Sequence, residues 1–371
     1  MERYKVIKNL GDGTYGSVSK AVIKDTGEIV AIKKMKKKFY SWEECLELRE
    51  IKVLRKITHP NIVRLKEVIR ANDELHLVFE YCEKNIIQMM NELSSPMTEL
   101  QIKDLILQVL NGLSELHRKG FFHRDMKPDN ILVNEGTYKI ADFGLAREIR
   151  SQPPYTDYVA TRWYRAPEIL LHSRRYNYQV DLFAVGCIMA ELYLMRPLFP
   201  GANEADQLNR ICSVLGTPTD WGEGQRLAVL MNYSFPQYVK IPLQNIIPNA
   251  SPDAINFIES LLLWDSSLRS NAEQCLQHPF FGIIKSPPSP TMRMDSLSPV
   301  RPAKLANNES PVNERSFIRL ESMSQNNDSR ISPLSFGRGK TNGENLRQVG
   351  ANLISRPIGN IGNIGMGRHR F

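Results

Sequence analysis

The sequence predicts an α+β chain of two lobes, a small antiparallel β-sheet lobe followed by a larger, mainly α-helical one, with a basic tail behind them. Three observations predict it. Residues 4–81 fall largely into short runs of strand-like alternation bounded by turn residues. From Thr98 onward, apolar residues recur on helical faces. After Lys285 the periodicity stops, and Ser, Pro, Asn, Gly and Arg take over. The division implied is 1–82, 83–284 and 285–371. At 371 residues the chain has room for two cores and a further segment.

The first strand, Tyr4–Leu10, runs into Gly11-Asp12-Gly13-Thr14-Tyr15-Gly16-Ser17-Val18. Dinucleotide-binding folds share this glycine spacing but open a helix straight after it. Here Ser17–Lys24 reads as a second strand, turns at Asp25-Thr26-Gly27 and returns as Ile29–Lys33. That is a hairpin whose glycines let backbone N–H groups approach phosphates closely. Ser41 and Glu44 form a capping-box pattern, and Leu46, Val53, Leu54 and Ile57 lie on one helical face. A single helix over Glu43–Ile57 places Glu50 on that inward face. A carboxylate there needs a partner, and Lys33 at the end of Val-Ala-Ile-Lys is the natural one. Two more strands are expected over Ile62–Arg70 and Leu75–Tyr81.

In the second lobe, Thr98 and Gln101 make another capping box ahead of a helix with apolar positions Ile102, Leu105, Ile106, Val109, Leu110, Leu113 and Leu116. Leu182–Met189 is apolar nearly all round and reads as the buried central helix, with Asp181 placed to hold the backbone near Arg124. Between them stand His123-Arg124-Asp125-Met126-Lys127-Pro128-Asp129-Asn130, then Asp142-Phe143-Gly144, then Ala166-Pro167-Glu168. Phosphoryl transfer needs a carboxylate to orient the attacking hydroxyl, oxygen ligands for Mg²⁺ on the nucleotide phosphates and a surface where the acceptor can lie. Asp125 fits the first need, and Asn130 with Asp142 the second; Lys127 stands two residues after Asp125.

Charge and cysteines narrow the classes further. The net charge of +8 sits almost wholly in residues 285–371, which hold 13 Lys and Arg against 6 Asp and Glu. The remainder is close to neutral, which argues against nucleic acid as the partner. Cys45, Cys82, Cys187, Cys212 and Cys275 are scattered and odd in number, as expected of reduced thiols rather than a disulfide or zinc framework. Charged residues directly after Met1, and the absence of a long apolar run, imply no signal segment and no membrane insertion. The tail, expected to be disordered, carries Ser-Pro steps at Ser286, Ser289, Ser298, Ser310 and Ser332; Asn313–Ser324 is a candidate short binding helix.

From Tyr4 to Phe281 the chain resembles a eukaryotic protein kinase of the group that holds cyclin-dependent and mitogen-activated kinases. Phe121–Pro128 and the stretch Ala146–Tyr158, with its Thr156-Asp157-Tyr158, are similar to the family of male germ cell-associated and intestinal cell kinases. The resemblance implies the two-lobed kinase fold, and an ATP site formed by Leu10, Gly11, Asp12, Gly13, Thr14, Tyr15, Gly16, Ser17, Val18, Ala31, Lys33, Glu50, Phe79, Glu80 and Cys82. It implies Mg²⁺ on Asn130 and Asp142, with Asp125 and Lys127 catalytic. It also implies a buried pair between Glu168 and Arg269, and an insert between Gly201 and Ser251. Thr156 and Tyr158 would be regulatory phosphosites; Arg49, Arg124 and Arg147 would meet the phosphothreonine, and Arg162 the phosphotyrosine. Ala160, its carbonyl taken by Arg165, would select proline after the target residue. Partners would be protein substrates with Ser/Thr-Pro sites and an upstream kinase for Thr156, acting on a monomer in cytoplasm and nucleus, with a role in cilium or flagellum length control, meiosis or development. Phe183 and Ser270 depart from the family's usual Trp and Pro. A scaffold without catalysis would need a lesion at Lys33, Asp125, Asn130 or Asp142, and all four are intact. Against a cyclin-dependent kinase stand the missing cyclin-binding signature in Glu43–Ile57 and the presence of Tyr158.

Overall fold

A computed structural model describes residues 1–13, 16–151, 161–282 and 318–319. The chain opens with β1 (Tyr4–Asp12), β2 (Gly16–Ile23) and β3 (Ile29–Lys38), continues through α1 (Trp42–Leu46) and α2 (Arg49–Leu54), and returns as β4 (Leu65–Ala71) and β5 (Glu74–Glu80). These strands form one antiparallel sheet in the order β1-β2-β3-β5-β4. Alternation along β3 decides which residues meet the cleft. Val30 and Ile32 join a small cluster with Tyr4, Ala21, Ile23, Ile69 and Val78 on one face, while Ala31, Lys33 and Met35 point to the other.

The single helix expected over Glu43–Ile57 is broken in two. Leu48 leaves the helical region at φ −61°, ψ 127°, and α2 restarts at Arg49. Leu46 and Glu50 therefore do not share a helical face, and it is the restart that turns Glu50 inward. The Ser41 cap is also half of the expected box: Ser41 Oγ accepts from the Glu44 N–H, whereas the Glu44 carboxylate accepts from the Tyr40 N–H.

The larger lobe follows with β6 (Lys84–Asn85), α3 (Ile86–Glu92), α4 (Glu99–Arg118), β7 (Phe121–Phe122), β8 (Ile131–Asn134), β9 (Thr137–Ile140) and β10 (Arg147–Glu148). The Thr98 capping box forms in full. Beyond them lie α5 (Pro167–Leu170), α6 (Gln179–Leu194), α7 (Glu204–Leu215), α8 (Gly222–Leu230), α9 (Leu243–Ile246), α10 (Pro252–Leu261) and α11 (Ala272–Cys275). Every residue of α6 from Val180 to Tyr193 is buried, as an all-round apolar helix requires. Phe183 fills its position by stacking on Phe199 and lying under the Arg269 guanidinium, 5.0 Å from the ring centre.

The tail falls outside the described residues except at β11 (Ile318–Arg319), which pairs antiparallel with the β4 edge, Ile318 opposite Val68 and Arg319 opposite Glu67. This corrects the short helix expected over Asn313–Ser324: two residues at its centre are extended, because an unpaired sheet edge offers the backbone partners that an isolated helical turn lacks.

Candidate active site

Three short hydrogen-bonded elements fix the catalytic loop. β7 leads into it and pairs with β10, setting Arg147 opposite Phe122. Asp181, buried at the start of α6, accepts from the backbone N–H groups of His123 and Arg124, each at 2.8 Å. Two main-chain donors on one carboxylate hold the loop even though Arg124 has a positive φ of 73°. His123 is fully buried. Its Nδ1 accepts from the Asp125 N–H at 3.3 Å and its Nε2–H donates to the Ala141 carbonyl at 3.0 Å, so one ring ties the loop to the residue just before Asp142.

Within the loop, Asp125 is the meeting point. Lys127 Nζ donates to its Oδ2 at 3.0 Å, and Asn130 Nδ2 donates to its carbonyl at 2.8 Å and to Oδ2 at 3.2 Å. With its amide nitrogen committed, Asn130 keeps its oxygen for another ligand. On the opposite wall, Lys33 Nζ lies 2.8 Å and 3.1 Å from the two Glu50 oxygens and 2.9 Å from Asp142 Oδ1. Burial pushes the Lys33 ammonium down in pKa, but the Glu50 and Asp142 carboxylates outweigh it and hold the ammonium well above its usual range. Burial likewise opposes ionisation of Asp142, yet Lys33 keeps its carboxyl below the ordinary value. Asp142 itself sits at a left-handed φ of 62°, which aims its side chain back across the cleft.

The cleft between these walls encloses about 550 Å³, room for a nucleotide. Of the expected ATP-site residues, Leu10, Gly11, Asp12, Gly13, Gly16, Val18, Ala31, Lys33, Glu50, Phe79, Glu80 and Cys82 line it, with Asn130 and Asp142. Ser17 is turned to the other face by the pleat of β2. Thr14 and Tyr15 lie outside the described residues, as do Thr156, Tyr158 and Ala160. Burial, with the Glu80 charge, pushes the Cys82 thiol up to about 11, the value of a passive residue rather than a nucleophile. Val63 and Leu132 line the cleft as well and were not anticipated. Leu132 was readable, since in a strand that buries Ile131 the next side chain faces the opposite way.

Mg²⁺ fits this donor set. The Asn130 oxygen and the second Asp142 oxygen are hard ligands that leave room for phosphate oxygens and water, the arrangement that Mg²⁺ favours over a cage of protein ligands.

Below the cleft, Glu168 and Arg269 form the expected fork, at 2.6 Å and 2.9 Å, with both side chains almost fully buried. Arg49 opens α2, which packs on the Phe143–Leu145 turn, and Arg147 follows that turn, so the three arginine-bearing segments meet there. Arg124 donates to the Tyr176 hydroxyl at 2.6 Å and to the Leu145 carbonyl at 3.2 Å. Arg165 is buried, 3.7 Å from Glu204, and the Arg162 Nε is buried without a hydrogen-bond partner among the described residues.

A glycine-lidded nucleotide cleft over an Asp125–Lys127–Asn130 loop defines a protein kinase, and the protein kinase domain family matches residues 4–281. The chain belongs to that family, and among its relatives it is similar to male germ cell-associated and intestinal cell kinases. It is 54% identical over 286 residues to the human serine/threonine-protein kinase MAK and 56% identical to the mouse serine/threonine-protein kinase ICK. Both matches cover 76% of this chain and 46% of the relative, so the chain spans just under half the length of these kinases. A rice protein named cyclin-dependent kinase F-3 is 53% identical over 292 residues, 78% of this chain and 67% of its own. No helix among the described residues is long and apolar enough to cross a membrane.

Proposed function

We propose that the chain is a Mg-ATP-dependent protein serine/threonine kinase, directed to sites followed by proline and switched by phosphorylation of Thr156 and Tyr158. One observation carries the catalytic reading: Lys33, Glu50 and Asp142 are bonded together across the cleft from a second bonded set of Asp125, Lys127 and Asn130. The boundaries proposed for the lobes are 1–82 and 83–284, with 285–371 as tail.

Each residue acts through its geometry. Asp125 accepts the hydroxyl proton of the target side chain and orients its oxygen. Lys127, already beside Asp125, neutralises charge developing on the transferred phosphoryl group. Lys33, held by Glu50, presents its ammonium to the α- and β-phosphates. Asn130 and Asp142 would hold Mg²⁺, which would supply charge neutralisation to the phosphates. Preference for proline rests on buried Arg165. If it takes the Ala160 carbonyl, a substrate amide there loses its acceptor, whereas proline has no N–H to leave unsatisfied. The switch rests on Arg49, Arg124 and Arg147, carried by segments that meet at the Phe143–Leu145 turn, with Arg162 serving Tyr158. An upstream kinase acting on Thr156 and roles in cilium length, meiosis or development are carried over from the family.

The test is to incubate purified protein with Mg-ATP and a degenerate peptide library, then map both library and self-modification by mass spectrometry. Enrichment of proline after the target residue supports the reading, and a library without it removes the pocket. Phosphatase treatment that leaves turnover unchanged, or a Thr156→Ala variant as active as wild type, removes the switch.

A further inference from the structure

Well away from the nucleotide cleft, an open groove of about 880 Å³ runs between the His172–Arg175 loop and α8. We propose that it docks an acidic peptide segment bearing an apolar anchor residue, presented by a partner protein.

The groove's chemistry is one-sided. Arg174 and Arg175 line one wall, both exposed and, among the described residues, without a salt bridge. Arg226 on α8 faces them, lightly balanced by Glu223 at 3.8 Å in an exposed pair that contributes little. His172 is engaged by Glu204 at 3.1 Å. An apolar strip runs beside these charges. Residues 223, 226, 227 and 230 fall on one helical stripe of α8, which places half-buried Leu227 and the 75% exposed Leu230 along the groove. The chain's own tail is an unsuitable occupant, since residues 285–371 carry 13 Lys and Arg against 6 Asp and Glu. Positive walls with an apolar floor fit carboxylates flanking a leucine-like side chain.

Both walls are rigid. The Ser173 N–H donates to the Glu168 carbonyl at 2.9 Å and the Arg175 N–H to Ser173 Oγ at 3.2 Å, so the arginine loop hangs from the residue that forks with Arg269. α8 is anchored at its start by Trp221, which is buried against Trp264 with ring centres 5.9 Å apart and packs so closely under Gly224 that a Cβ there would lie 1.9 Å from its ring. Arginines presented by a fixed loop lose little freedom on binding. Glu204 also lies 3.7 Å from Arg165, which sets the groove beside the segment assigned to substrate selection. That the docked segment belongs to substrates or regulators rests on the kinase reading; the charge and shape of the groove do not.

A direct binding measurement separates the two. Fluorescence anisotropy is read on a labelled peptide with two leucines between Asp and Glu pairs, and on the same peptide with Asn and Gln in place of the acids. Turnover is followed separately on a short peptide lacking the acidic segment. The acidic peptide is expected to bind at least about tenfold tighter than its neutral counterpart, with affinity falling as salt rises. Arg174→Glu with Arg175→Glu should abolish that preference and restore binding to a peptide carrying lysines instead, while Leu230→Asp weakens the acidic peptide. Turnover on the short peptide stays unchanged in all of them. An Arg174→Gln, Arg175→Gln pair guards against misfolding of the charge-reversed protein. Equal binding of acidic and neutral peptides, retention of the preference in either double variant, or binding by a phosphorylated peptide alone overturns the proposal.

Discussion

Asp142 and Lys33 hold most of the information at the scale of single residues. Replacing Asp142 by Asn keeps the shape of the side chain but removes its charge, and turnover is expected to fall by about 10²–10⁴-fold, some 3–5 kcal/mol in the barrier. Nucleotide turnover beside a thermal melt checks that the loss is catalytic. The same group gives a pH signature. Lys33 holds the Asp142 carboxyl below its ordinary 3.8, so its contribution to stability is fully present above that value and is lost as pH falls through the lower, folded-state pKa. Melts of wild type and Asp142→Asn from neutral to acid should therefore converge at low pH, and parallel curves would rule the linkage out. Sequence reasoning found these residues because each is required by chemistry, not packing. It missed Leu132, which the alternation after buried Ile131 could have given, and Val63, an ordinary apolar residue whose role comes only from the wall it joins.

Among elements, legibility followed the source of each one's stability. α4 was readable because its burial follows a helical period and the Thr98 box closes within four residues, and α6 because its apolar run, unbroken round the helix, fits a fully buried one. The break at Leu48 was not readable, since nothing local to Glu43–Ile57 forbids a continuous helix, and the Lys33 ammonium that Glu50 meets after the restart lies outside that stretch. Two predictions belong here. Gly16 begins β2 with its Cα so close to β3 that a Cβ would lie 2.3 Å from the Lys34 carbonyl oxygen. Gly16→Ala should cost about 1–3 kcal/mol of stability and weaken nucleotide binding together, measured by melts with and without nucleotide. The Glu168–Arg269 fork joins α5 to the chain following α10. Glu168→Ala leaves a buried guanidinium unpaired and should destabilise the protein by about 3–5 kcal/mol, read from urea unfolding. A loss below about 1 kcal/mol would mean that the fork does not fasten these segments.

At the scale of the whole molecule, the strand β11 shows how a segment distant in sequence completes the sheet of the small lobe, extending its order to β1-β2-β3-β5-β4-β11. Its composition gave no strand signal, because the partner edge supplies the reason for extension. Deleting residues 283–371 is expected to raise hydrogen exchange at the one amide of Glu67 and Val68 that faces β11, the other being held by β5, while leaving turnover on short peptides intact; unchanged exchange at both would mean that the edge is not covered in solution. The two lobes also meet electrically at Lys33, which comes from the small sheet, and Asp142, which comes from the larger lobe. An incoming nucleotide does not simply add charges to an open basin. On the function proposed above, its phosphates would take over an ammonium already held by Asp142, so binding would be a trade of ionic partners in which few counterions are gained or released. The Michaelis constant for nucleotide should accordingly change little between low and high potassium chloride, and opening of the empty cleft should be slower than opening in a variant such as Asp142→Asn, where the lobes have nothing to let go of.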